Sequence, residues 1–197
     1  MKTTATTTLA LLIATLGYAE IIVMQNPQPS RADVEEIREK RRAIRNATLE
    51  EKVDYLLDRA EITDLITTYA YSVDTRDWPL HDSIFTEEIA MGSGESSGKI
   101  LSAKRVEILD RFFEKFSATQ HLGFPLAIHI DGDTAYAVAS LHARHFNESG
   151  DPATNTLLFG QYEYWLIRTD DGWRISRMAL VNRTRHPTSA AMRDPSE

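Results

Sequence analysis

The chain has 197 residues, an apolar content of 42% and a net charge of -7 at neutral pH, which suits one domain with extensions and a sizeable core. That charge argues against a sequence-independent grip on nucleic acid, which needs clustered Lys and Arg. The absence of cysteine excludes disulfides, thiolate catalysis and Cys-ligated zinc.

The N-terminus, "MKTTATTTLALLIATLGYAE", reads in two ways. Lys2, the apolar run Leu9–Leu16 and "GYA" before Glu20 resemble a secretory leader; alternatively, Met24 is the start and the protein is cytoplasmic. Only after export would the N-x-S/T triplets at Asn46, Asn147 and Asn182 matter. The apolar run is too short to span a membrane. Residues 20–32, with "NPQPS", read as a linker. The expected division is therefore 1–32 leader and linker, 33–186 folded domain and 187–197 disordered tail.

Ser30 or Asp33 is placed to cap a polar helix over 33–47 whose basic run, "REKRRAIR", is a solvated face. Thr48 and Glu51 form a capping-box pattern ahead of an amphipathic helix. Ile62, Leu65, Ile66, Tyr69, Ala70 and Val73 make its apolar stripe. "TRDWP" ends it, because Pro79 disfavours helix at Trp78, and a short helix over 80–86 follows. "MGSGESSGK" reads as a loop. Ser102 is the expected cap of a third helix with Val106, Leu109, Phe112, Phe113 and Phe116 on one face.

The period then changes. Residues 124–130 and 134–146 read as strands joined by a "DGD" turn, and 156–168 and 173–182 as strands joined by "DDG". Helices followed by an antiparallel meander give an α+β class.

Three polar residues interrupt apolar faces. Asp74 lies on or beside the stripe of its helix; it is either a solvated acid in the last turn or a buried carboxylate that needs a partner. His145 shares a strand face with Ala135, Ala137, Ala139, Leu141 and Ala143, whose small side chains leave room for a ligand or for helices. A lone histidine there is either a core residue or an acid–base group. Tyr162 shares its face with Leu158, Gly160, Tyr164 and Leu166. There is no HExxH zinc motif and no G-x-S-x-G nucleophile elbow.

Taken together, "RAEITDLITTYAYSVDTRDWPLHDSIFTEE", "TQHLGF…IDGDTAYAVASLHARH" and "GQYEYWLIRTDDGWRISRMAL" resemble the SnoaL-like branch of the nuclear transport factor 2-like superfamily, over roughly 50–185. Within it, "VDTRDW" and "TQH" are similar to motifs of the scytalone dehydratases. The resemblance implies a cone-shaped α+β barrel, with N-terminal helices packed on a curved, mainly antiparallel sheet around a deep pocket. It implies Asp74, His121 and His145 as catalytic residues, with Asp74 pairing His145. Tyr69, Leu141, Leu158 and Tyr162 are the expected substrate contacts. It further implies a small-molecule substrate, no cofactor, no metal, and a homodimer or homotrimer formed through the outer sheet face. The family's water-orienting tyrosines are replaced by Val73 and by Ala90 and Met91. Its polar pair on the third strand falls on Gly160 and Tyr162. The expected function is dehydration or isomerisation of a carbonyl-activated, polyketide-like ring; the alternative is a pocket that binds a small molecule without turning it over.

Overall fold

The computed structural model describes residues 31–91, 98–149, 151 and 154–187. The expected leader, Ser30, most of the "MGSGESSGK" loop and the tail beyond Pro187 lie outside them. Helix α1 (Arg31–Asn46) precedes α2 (Leu49–Thr75), α3 (Trp78–Ser83), β1 (Phe85–Met91), β2 (Gly98–Leu101) and α4 (Ser102–Phe113). Strands β3 (Ala118–Leu122), β4 (Pro125–Asp131), β5 (Thr134–Phe146), β6 (Thr156–Thr169) and β7 (Gly172–Pro187) follow.

Helix α2 starts where its capping box places it. Glu51 N–H donates to the Thr48 hydroxyl at 3.2 Å, and the Thr48 N–H donates to the Glu51 carboxylate at 2.7 Å, which satisfies two otherwise orphaned donors. It ends at Arg76, whose φ of 59° is left-handed. Chain direction then changes at once, because the Asp77 carboxylate accepts from Leu80 N–H and caps α3. Pro79 therefore sits in the first turn of that helix, where a missing N–H costs nothing. Helix α3 thus begins earlier than the proline suggested and ends at Ser83, and residues 85–91 are a strand. Ser102 opens α4 but its hydroxyl caps nothing; it is buried instead.

Among the described residues seven strands form one open sheet in the order β2-β1-β7-β6-β5-β3, with β4 also pairing β5. All pairs are antiparallel except β1 with β7. The sheet does not close into a full barrel; β2 and β3 are its two ends. The period-2 reading of β5 holds: Ala135, Ala137, Ala139, Leu141, Ala143 and His145 are all buried, and His142 on the other face is exposed against Phe159. On β6, Tyr162, Tyr164 and Leu166 point inward and Trp165 stays on the outer side, where two clefts open. Helix α2 covers the inner face, packing on β3 and β7, while α4 packs on β1 and β2. Ile62, Ile66, Val73, Ile89, Leu141, Trp173 and Ile175 are almost completely buried between these layers. The strand–helix end is clamped by Asp58, which accepts two hydrogen bonds from Arg168 and one from the Trp173 indole.

Candidate active site

Asp74 occupies the last turn of α2, directly after the buried Ser72–Val73 pair, and its carboxylate reaches over β3. Three donors converge on it. The His121 ring donates from Nδ1 to Oδ1 at 2.6 Å, the His121 backbone N–H donates to Oδ2 at 2.7 Å, and the Thr119 hydroxyl donates to Oδ1 at 2.9 Å. The Thr119 hydroxyl in turn accepts from the Arg76 guanidinium at 2.9 Å, so its own proton goes to Asp74. Burial would raise the carboxyl pKa, but the bonds from the His121 ring and backbone, then from Thr119, outweigh it and hold Asp74 below the usual carboxylate value. An ionised Asp74 keeps the His121 proton on Nδ1 and leaves Nε2 with its lone pair.

His145 is next to this pair but does not pair with Asp74. In the β3–β5 register Thr119 faces His145 and His121 faces Ala143. Thr119 and His121 take up the carboxylate directly above them, and His145 lies one strand further in. Its ring is 5.4 Å from that of His121. Both histidines are buried, and Phe113 stands edge-on to both, at 5.9 Å and 5.6 Å, while Phe116 lies 4.7 Å from His145. The expected trio therefore meets, with its internal pairing changed: the acid orients His121, and His145 is the second ring.

The expected substrate contacts divide. Leu141 lies on the same strand and face as His145, opposite Gly160, and Leu158 lies on the neighbouring β6, opposite Ala143. Tyr69 and Tyr162 belong to a different group, with ring centroids 5.1 Å apart and Tyr164 completing the cluster. Burial pushes the Tyr162 and Tyr164 hydroxyls well above the ordinary phenol range, so both remain neutral.

Two residues that sequence reasoning missed stand beside these tyrosines. His81, fully buried on α3, donates from Nδ1 to the Ser72 hydroxyl (2.9 Å), which donates to the Tyr69 carbonyl (3.1 Å). Its Nε2 accepts from Nη1 of Arg105 at 2.6 Å. A guanidinium has protons only to give, so the neutral Nδ1–H tautomer of His81 is fixed. Burial, and then the Arg105 charge, push the His81 pKa down to about 3. Arg105, on α4, is 5% exposed; its guanidinium lies 4.2 Å over the Phe85 ring, and Nη2 contacts the Met178 sulfur at 3.6 Å. The signal was available: Arg105 lies four residues before the stripe residue Leu109, on the same helical face. Among the described residues no group of three or more His, Asp or Glu side chains is placed to hold a metal ion.

The model of the SnoaL-like domain matches residues 54–179, which hold every one of these groups. A search of curated proteins found no significant match. Among solved structures, the Kfla4162 protein of Kribbella flavida is 26% identical, with a TM-score of 0.62 over 71% of this chain and 99% of its own. A Novosphingobium aromaticivorans protein provisionally named a scytalone dehydratase is 19% identical, with a TM-score of 0.59 over 68% and 89%. Hexachlorocyclohexane dehydrochlorinase LinA-type3 from Novosphingobium barchaimii LL02 is 18% identical, with a TM-score of 0.59 over 68% and 92%. At such identities the last two speak for the fold alone. With the domain model spanning well over half of its length and helices laid on a mixed, open sheet, the chain belongs to the SnoaL-like family and has the cone-shaped α+β fold of the nuclear transport factor 2-like superfamily.

Proposed function

We propose that the protein is a cofactor-independent lyase or isomerase acting on a carbonyl-activated small molecule. The observation that carries this reading is the Asp74 carboxylate fixed by three donors, one of them the His121 ring. In this scheme His121 Nε2 removes a proton α to the substrate carbonyl, and Asp74 stabilises the imidazolium that results. His145, one ring away, handles the proton of the leaving group or of the enol oxygen. The carboxylate orients His121 here in place of His145, the partner that the family resemblance implied. The names of two structural neighbours, a dehydratase and a dehydrochlorinase, both denote eliminations and support the same reaction class. Val73, Ala90 and Met91 supply no phenol, so water-orienting tyrosines play no part in the scheme. Copies of the chain associate as a homodimer or homotrimer through the outer sheet face in this reading.

The test is turnover of a panel of cyclic β-hydroxy and β-chloro ketones by wild type, Asp74→Asn and His121→Gln. General-base loss predicts a drop of about 10²- to 10⁴-fold in either variant. Turnover within about threefold of wild type, a barrier change under ~1 kcal/mol, removes the acid–base role and leaves a binding pocket.

A further inference from the structure

Arg105 has a charge that the proposed acid–base chemistry does not use. Its side chain comes from α4 and ends among Tyr69 and Ser72 of α2, His81 of α3, Phe85 of β1 and Met178 of β7. Every one of these neighbours is uncharged. Among the described residues no ion pair includes Arg105, and its Nε–H has no hydrogen-bond partner at all.

A guanidinium stays protonated in a protein, so it cannot escape the cost of burial by losing its charge. The folded chain offers it only neutral acceptors, His81 on Nη1 and the Tyr69 phenol. Along the other edge of the fork, Nη2 contacts a thioether at 3.6 Å and Nε–H is left without a hydrogen-bond partner among the described residues. Two parallel N–H groups on one edge match the two oxygens of a carboxylate. The Ser72–His81 relay holds the guanidinium from behind and leaves that edge as the side to be filled. Phe85 and Tyr69 lie along its flat faces and fix the plane of the fork.

We propose that Arg105 is the anchor for a carboxylate carried by the ligand, so that the cone accepts cyclic carboxylic acids in their ionised form. This names the substrate class of the proposed function and rests on the reading that the cone interior is the ligand site. The flanking Tyr69, Tyr162 and Tyr164 rings suit the ring portion of such an acid. His81 and Ser72 are positioning residues that act through Arg105.

Binding of benzoate and 2-naphthoate, each against its neutral primary amide, is measured by calorimetry with wild type, Arg105→Met, Arg105→Lys and Asp74→Asn. Wild type is expected to prefer the acid by about 30-fold or more, a typical return for a bidentate charge-assisted pair. Arg105→Met, which keeps the bulk of the stem, loses the preference; Arg105→Lys, which keeps the charge without the fork, retains only part of it. Asp74→Asn keeps it in full, so a failure of the acid–base chemistry leaves this result standing. A wild-type preference below about threefold, or one that survives in Arg105→Met, overturns the assignment. The wild-type comparison alone decides the matter if either arginine variant fails to fold.

Discussion

Acidification should unlock the fold at His81, and the size of the effect follows from its surroundings. The groups facing it are the Arg105 guanidinium, the Ser72 hydroxyl and the rings of Tyr69, Trp78 and Phe85. None is an anion that would welcome an imidazolium. Its folded-state pKa of about 3 lies below the unfolded value near 6.5. Between these two values the unfolded chain binds a proton that the native state refuses, so stability is fully present above the upper value and falls as pH drops toward the lower one. At pH 4 the difference is roughly 2.5 units at 1.36 kcal/mol each, or about 3 kcal/mol. Urea denaturation of wild type and His81→Gln at pH 7 and pH 4 measures it. Carboxylates such as Asp58 and Asp74 titrate in both proteins, so the difference between the two pH-induced losses isolates His81. Wild type should lose about 3 kcal/mol more than the variant. Parallel losses, within about 0.5 kcal/mol, would refute the claim that the folded protein keeps this ring neutral.

Two other substitutions probe the scaffold and the dyad separately. Gly172 turns the β6–β7 hairpin at φ 94°, and a Cβ there would meet the Glu61 carboxylate that accepts from Trp173 N–H at 2.8 Å. Gly172→Ala should cost about 2 kcal/mol in chemical denaturation, and a neutral result would show that the helix–hairpin clamp is slack. Thr119→Val removes the hydroxyl between Arg76 and Asp74 while preserving shape. It should slow turnover about tenfold with an unchanged far-ultraviolet spectrum, and unaltered kcat/KM would mean that the carboxylate is held well enough by His121 alone.

The long periodic elements and strand β4 were legible in the chain; β1 and β3 were not. Thirteen alternating residues of β5 fix its faces, and the Thr48–Glu51 box fixes the start of α2. Strand β3 is only "ATQHL", too short for alternation to declare itself, and the start of β1 lies within the segment 80–86 that read as helix. The same brevity hid the dyad's pairing. Which histidine takes the carboxylate depends on where a five-residue strand lies against β5, and nothing local specifies that register. His81 and Arg105 are a different case: Arg105 shares a helical face with Leu109, which marks it as inward-facing, but its meeting with His81 comes from the tertiary packing of α3 against α4.

Strand β3 forms one end of the sheet, and such an end is a template for another chain's strand unless its backbone groups are occupied. The backbone N–H of His121 is occupied by Asp74 Oδ2. One carboxylate therefore serves as both the orienting acid and the seal on a sheet edge. Under the proposed chemistry, a descendant that drops this acid also exposes a sticky border. Loss of activity and onset of self-association would then arrive through the same substitution, which gives Asp74 two independent reasons to be kept.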